Sequence, residues 1–299
     1  MDIFARLLSQ AGERPPKVLA IANAADRDVL SAVQRAVANG IAIPLFSGDP
    51  TAIRALAGSL DFDTSPFEIL PAETPEEAAF LAVRAVADGR ADALMKGLVS
   101  TSALLKAVLS KEDGLRGPGL LSHLACFVLP ALDRPIFLTD AAINIAPDLE
   151  QKTLIIENAV HFLHGLGFQE PVVGVLAAVE KVNPAMQATL DAEALVRRQQ
   201  EGRITGCVVG GPYALDNALF TSLAKLKGMD DPLAGRADLL LAPTIEAGNV
   251  LYKAMALLAS GKSAGLVIGA RAPIVLTSRA DSDETKLHAI ALALAGDLS

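Results

Sequence analysis

The sequence predicts an α/β fold with a mostly parallel sheet, and three observations carry that prediction. Strand-like and helix-like segments alternate along the chain, the strand-like runs are short and wholly apolar, and prolines, glycines or acids punctuate the junctions. Short uninterrupted apolar runs suit strands covered on both faces. Repeated βα units imply parallel strands with helices on either side.

The elements follow in order. Val18–Ala22 reads as a strand, and Asp26 to Val37 as a helix whose Leu30, Val33 and Val37 fall on one stripe. Ile41 to Phe46 is a second strand, Thr51 to Ala57 a short helix, and Phe67 to Leu70 a third strand. Pro75 opens the next helix because its fixed φ suits a first turn, and Glu76 and Glu77 face the positive end of the helix dipole. Ala93–Met95 is a fourth strand, with a helix from Thr101 to Leu109. The rhythm breaks between Gly114 and Pro135. Gly117–Pro118–Gly119 is a turn cluster, and the runs Leu121–Leu129 and Ile136–Leu138 are joined by a tight Pro130–Pro135 link, which marks entry into a second domain. Alternation resumes with Val172–Val179, a helix around Ala192–Gln199, Gly206–Val209, Leu239–Ala242, Ala264–Ile268 and Pro273–Leu276. A closing helix runs to about Leu294. Without a long linker, two domains would share an intimate interface.

Composition narrows the class. The chain has 299 residues, 52% hydrophobic but only 4% aromatic and without Trp, as in an enzyme packed with Ala, Leu and Val. A net charge of −8 argues against general nucleic-acid binding, which needs a basic face, yet leaves room for a local basic pocket. Cys126 and Cys207 lie far apart in apolar runs, the pattern of buried free thiols in a reducing compartment. The start, Met1 to Ala11, carries Asp2 and Arg6 and lacks a signal-peptide core, and no run of eighteen apolar residues suggests a membrane span. A soluble cytoplasmic protein is expected.

The chemistry concentrates at Ala272–Ser282. A buried apolar run ends at Leu276, and Asp281 or Ser282 opens a helix, with Glu284 three residues beyond Asp281 in a capping-box spacing. Free N–H groups at a helix start favour an anion, Arg279 offers a bidentate donor and Ser278 a hydroxyl. Two readings stand: a phosphate or acyl-phosphate site, or a capped helix with a solvated arginine. Elsewhere, Lys96–Gly97 follows a strand end, where open parallel sheets place ligands, or is a solvated turn. Ser100 and Thr101 cap the next helix at least. Gly210–Gly211 after Val208–Val209 allows close approach of an oxyanion to backbone, or a turn with positive φ. Glu246, Gly248 and Asn249 open a helix, and Asp140 and Asn144 bracket an apolar tripeptide that lines a cleft or caps its own backbone. His161 and His164 are three apart without a third ligand, so no metal site is expected. Gly261–Lys262–Ser263 joins a helix to a strand, the wrong order for a P-loop, and no dinucleotide fingerprint is present.

Several motifs together resemble the phosphate acetyl/butyryltransferase family. They are Leu94–Gly97 with Ser100–Thr101, Thr139–Pro147, Gly211–Ala218, Ile245–Lys253 and the Ser278–Arg279 pair, in the family's order. Val182–Asn183–Pro184 and Ser278–Ser282 are most similar to the phosphate butyryltransferase branch. The resemblance implies a two-domain α/β/α fold like that of isocitrate and isopropylmalate dehydrogenases. The first domain would span 1–117 plus 265–299 and the second 118–264, with the active site in the cleft between them. It implies reversible transfer of a short acyl group between coenzyme A and inorganic phosphate, in which the thiol attacks an acyl phosphate directly. Coenzyme A is then a substrate, no cofactor is tightly bound, and the enzyme is a homodimer without nucleic-acid or membrane partners. Ser278, Arg279 and Asp281 would be catalytic. Lys96, Gly97, Thr101, Lys106, Gly211, Asp216 and Asn249 would bind substrate or coenzyme A.

One departure stands out. The acetyltransferase branch has a catalytic aspartate seven residues after the motif serine, where this chain has Thr285; Asp281 lies one helical turn earlier. Lys106 replaces a basic position of the acetyltransferases. Butyryl or branched acyl groups are favoured by the branch, with acetyl and propionyl as alternatives. A non-catalytic acyl-CoA-binding protein is a further alternative, supported by Thr285. A β-decarboxylating dehydrogenase is disfavoured because no aspartate cluster for Mg²⁺ appears.

Overall fold

A computed structural model describes residues 2–11, 15–117, 119–277 and 281–296. The chain divides into two compact units, Met1–Gly119 with Ser263–Gly296, and Leu120–Lys262. In chain order, the first unit begins with α1 (Ile3–Ala11), β1 (Lys17–Ala22), α2 (Arg27–Ala38), β2 (Ala42–Gly48), α3 (Pro50–Gly58), β3 (Ile69–Pro71), α4 (Pro75–Ala87), β4 (Ala93–Lys96) and α5 (Thr101–Val108). The second holds β5 (Ser122–Val128), β6 (Ile136–Thr139), α6 (Leu149–Gly165), β7 (Val172–Leu176), α7 (Gln187–Gln200), β8 (Val208–Tyr213), α8 (Leu215–Leu219), α9 (Thr221–Leu226), β9 (Leu239–Leu241) and α10 (Ile245–Leu257). The chain then returns to the first unit through β10 (Lys262–Ile268), β11 (Ile274–Val275) and α11 (Asp283–Ala295).

Strand order in the first unit is β3-β2-β1-β4-β11-β10. All neighbours are parallel except β10 and β11. In the second it is β5-β6-β9-β7-β8, again parallel except for β5 against β6. Both antiparallel pairs have the same cause. A short link such as the one between β5 and β6 can join only antiparallel neighbours, since a parallel crossover needs a dozen residues or more.

The helix starts follow local rules. Asp26 caps α2 by accepting from Val29 N (3.0 Å). Thr74 caps α4 through Glu77 N (3.1 Å), with Pro75 in the first turn. Asp148 and Gln151 form a reciprocal capping box on α6. Below them the core is aliphatic: β1 and β4 bury Leu19, Ile21 and Leu94 completely, and β5, β6 and β9 bury Phe127, Leu138 and Leu240. The helix α1 opens at Asp2, whose Oδ1 accepts from Phe4 N (2.9 Å). It forms by burying Ile3, Phe4 and Leu7, with the Phe4 ring stacked on His288 of α11 at 4.3 Å. No described helix is long and apolar enough to cross a membrane.

Candidate active site

In the first unit the described candidates Lys96, Gly97, Thr101 and Lys106 lie at the end of β4 and along α5. Gly97 leaves β4 by crossing the backbone of residues 22–23: Gly97 N donates to Ala22 O (2.9 Å) and Leu98 N to Asn23 O (2.7 Å). A Cβ on Gly97 would lie 2.3 Å from Asn23 O and 2.6 Å from Ala22 O, so this crossing itself demands glycine. Lys96 is not the solvated turn lysine of one sequence reading. It is buried, and its Nζ donates to Gly97 O (3.2 Å) and Val99 O (3.3 Å), tying the cation inside the turn. Ser100 alone caps α5, accepting from Ala103 N (3.1 Å), and Thr101 is exposed in its first turn. Lys106 is exposed in the last turn of α5.

Ser278 and Arg279 lie outside the described residues. The helix that follows them is described, and it corrects the expected capping box. Ser282, not Asp281, is the N-cap of α11: its Oγ accepts from Thr285 N at 3.2 Å, which puts Thr285 rather than Glu284 at the third helical position. Glu284 sits near His288 on the same helix (3.8 Å). Asp283 leaves the helix start altogether for α2, pairing with Arg35 (3.3 Å) and Ser31 Oγ (3.1 Å). Half-buried Asp281 offers its backbone carbonyl to the Nζ of Lys286, a buried residue one turn further on.

In the second unit the candidates line the carboxyl ends of the parallel strands, the usual ligand side of such sheets. Asp140, just past β6, is a cap. Its Oδ1 accepts from the N–H groups of Ala142 (2.9 Å) and Ile143 (3.0 Å), and its Oδ2 from Asn144 N (3.2 Å) and Asn144 Nδ2 (2.6 Å). Asn144 also reaches Leu121 O (2.8 Å). The Thr139–Asp140 peptide is cis. The first turn of α10 presses on this loop: a Cβ on Gly248 would stand 2.3 Å from Asp140 O, and Asn249 Nδ2 donates to Ala141 O (3.0 Å). Asn249 therefore braces the Asp140 loop. His123, at the start of the antiparallel β5, belongs to the same cluster. Its carbonyl accepts from Thr139 Oγ1 (2.8 Å), and its ring meets the Tyr252 ring edge-on at 5.5 Å. Burial pushes the His123 imidazole below the ordinary histidine range, with nearby Asp140 opposing.

Gly211 has φ +144°, a conformation that suits glycine, and its Cβ would lie 2.9 Å from Val175 O. The Gly211–Pro212 peptide is cis. Asp216 is bound to Lys227 (3.0 Å), which also holds Glu180 (2.5 Å); the buried Asn217 amide donates to the same Glu180 carboxylate. Lys227 and then Asn217 hold the Glu180 carboxyl down to about 2. Sequence reasoning did not single out Glu180 or Lys227, nor did it connect His123 to Asp140. The one available signal was position, since Glu180 follows the end of β7 and β7 stops at Leu176, short of the expected Val179. Among the described residues no group of three or more His, Cys, Asp or Glu is placed to hold a metal ion. His164 Nε2 shares a hydrogen bond with Gly206 O (2.7 Å).

In each unit candidate residues sit at or just past strand ends, the arrangement of α/β enzymes. Comparison with known proteins makes the class specific. The family model described as "Phosphate acetyl/butaryl transferase" matches residues 72–294. The chain is 49% identical over 288 residues to a protein of Bacillus subtilis named probable phosphate butyryltransferase, covering 96% of each chain. Among solved structures it is similar to a branched-chain phosphotransacylase from Enterococcus faecalis, with a TM-score of 0.83 and 32% identity, covering 93% of this chain and 98% of that one. A 4-hydroxythreonine-4-phosphate dehydrogenase from Burkholderia phymatum, 17% identical with a TM-score of 0.57 over 94% of this chain and 98% of that one, shares the dehydrogenase-like fold. The chain is an acyltransferase. It belongs to the phosphate acetyl/butyryltransferase family.

Proposed function

We propose that this enzyme transfers a butyryl or branched short acyl group reversibly between coenzyme A and inorganic phosphate, as a homodimer. The observation that carries the acyl choice is the likeness, over nearly the whole chain, to a probable phosphate butyryltransferase and a branched-chain phosphotransacylase. In the direction of acyl-CoA formation, the thiol of coenzyme A attacks the carbonyl of an acyl phosphate. A free thiol has a pKa of roughly 8.5, so loss of its proton needs a base or a positive field. The sulfur–carbon bond forms, a tetrahedral oxyanion develops, and phosphate departs with the electron pair of the broken carbon–oxygen bond.

Such a reaction needs donors at the oxyanion and cations on the departing phosphate. Arg279 is assigned to the phosphate and Ser278 to the reacting carbonyl or a phosphoryl oxygen. Asp281, the first acid after that pair in the sequence, is assigned the thiol proton, because Thr285 has no carboxyl to take it. Lys96, Gly97, Thr101 and Lys106 are assigned to the substrate and coenzyme A, with Gly211, Asp216 and Asn249. The contacts that Gly97, Asp216 and Asn249 make with neighbours in their own units support a bracing part for these three.

The test is thiol release from acetyl-, propionyl-, butyryl- and isobutyryl-CoA, with and without phosphate, by the wild type and by Arg279→Ala. Phosphate-dependent release, fastest with butyryl or isobutyryl and collapsing in the variant, is the expected result. Coenzyme A binding without release from any of them would leave a non-catalytic binding protein instead.

A further inference from the structure

Lys286 is an expensive residue in its position. It is the fourth residue of α11, its N–H bonded to Ser282 O (3.0 Å), where the helix dipole disfavours a cation. It is also buried, at 3% exposure, so its ammonium has given up most of its water. A surface ion pair does not compensate: the nearest carboxylate, Asp28 on α2, stands 3.9 Å away and is half exposed. The close partner of the ammonium is the backbone carbonyl of Asp281, in the turn immediately before the helix. An apolar side chain would serve the surrounding core, since Leu287, Ala289, Ile290 and Leu292 of the same helix are buried. What the lysine adds over a leucine is a charged tether on the turn and a positive charge beneath the start of α11.

We propose that Lys286 is a positioning residue for the phosphate half of the reaction. Through its bond to the Asp281 carbonyl it fixes the turn that leads into α11, and its charge adds to the anion-attracting end of that helix. Asp281 is two residues after Arg279 in the sequence, so the tether holds the chain close in sequence to the residue assigned to phosphate. The inference rests on the proposed reaction. It goes beyond that reading by naming a residue outside the motif and by confining its effect to one substrate.

The experiment measures initial rates of thiol release from butyryl-CoA for wild type, Lys286→Met and Lys286→Arg, varying phosphate and butyryl-CoA separately, with urea unfolding of each protein followed by circular dichroism. Methionine keeps the length and removes the charge and the donors; arginine keeps both. The expected result is a rise of about tenfold or more in KM for phosphate in Lys286→Met, the scale of one lost charge-assisted hydrogen bond. KM for butyryl-CoA stays within twofold, and Lys286→Arg recovers most of the loss. If Lys286→Met folds poorly, Lys286→Gln, which keeps a donor but not the charge, carries the same comparison. An unchanged KM for phosphate, or equal losses toward both substrates that track a loss of folded protein, would overturn the inference and leave the proposed reaction standing. A wild type without phosphate-dependent release would overturn both.

Discussion

Replacing Gly97 by alanine separates a packing role from a ligand role at a position that the sequence alone leaves ambiguous. The added Cβ would sit 2.3 Å from Asn23 O and 2.6 Å from Ala22 O, far inside van der Waals contact. Both obstacles are backbone atoms, held by the hydrogen bonds that Gly97 N and Leu98 N make to these same carbonyls. No side chain can rotate away, so the strain falls where the chain leaving β4 passes the end of its parallel neighbour β1. Overpacking typically costs about 1–3 kcal/mol, and an obstacle that cannot yield puts this variant near the upper end. With a urea slope of about 3 kcal/mol/M, the midpoint falls by roughly 1 M. The chain has no Trp, so far-UV circular dichroism is the appropriate probe. Gly58→Ala is the control: Gly58 ends α3, and a Cβ there meets nothing within 4 Å. It should leave stability unchanged or raise it by up to about 1 kcal/mol through lower unfolded-state entropy. A Gly97→Ala protein with the wild-type midpoint, or a Gly58→Ala protein damaged as badly, would refute the reasoning.

Two further sites probe the second unit. The buried pair of Lys152 and Asp191 (2.5 Å), with Gln187 donating to the other Asp191 oxygen (2.8 Å), joins α6 to α7. Lys152→Met should cost about 3–5 kcal/mol in urea unfolding by stranding the aspartate, and the double variant Lys152→Met with Asp191→Leu should recover much of it; equal midpoints for single variant and wild type would contradict this. Glu180 has a folded-state pKa of about 2, below its ordinary 4.5, so it contributes stability above the ordinary value that is lost as pH falls toward 2. Glu180→Gln should therefore flatten the acid limb of a stability–pH curve between those values, and an unchanged limb would show that Lys227 and Asn217 do not hold the carboxylate as described.

The parts of the fold legible in the sequence were those set by local chemistry. The apolar runs of β1, β2 and β4, the Thr74–Pro75 start of α4 and the Asp26 cap of α2 each follow from a few neighbouring residues. Elements that depend on distant partners were not legible. The helix α1 has a local cap in Asp2, but its apolar face is held by Phe4 packing on His288, on the far side of the sequence, and the short α8 and α9 have no side-chain caps to announce them. The cap of α11 was ambiguous because Asp281 and Ser282 are both good cap residues, and backbone geometry selects the serine. At the candidate site, the pattern marked Asp140 and Asp216 as noteworthy without revealing their partners. Asp140 could be read locally, since its four donors lie within four residues. Asp216 could not, because Glu180, which shares its lysine, lies 36 positions earlier in the chain.

The most direct test of the acyltransferase account is to incubate the enzyme with butyryl-CoA and phosphate and trap the product with hydroxylamine. The account predicts butyryl hydroxamate in amounts equal to the thiol released, dependent on phosphate, because the acyl group leaves coenzyme A as an acyl phosphate. Thiol release that yields only butyrate, regardless of phosphate, would mean that water accepts the acyl group, and would contradict the account.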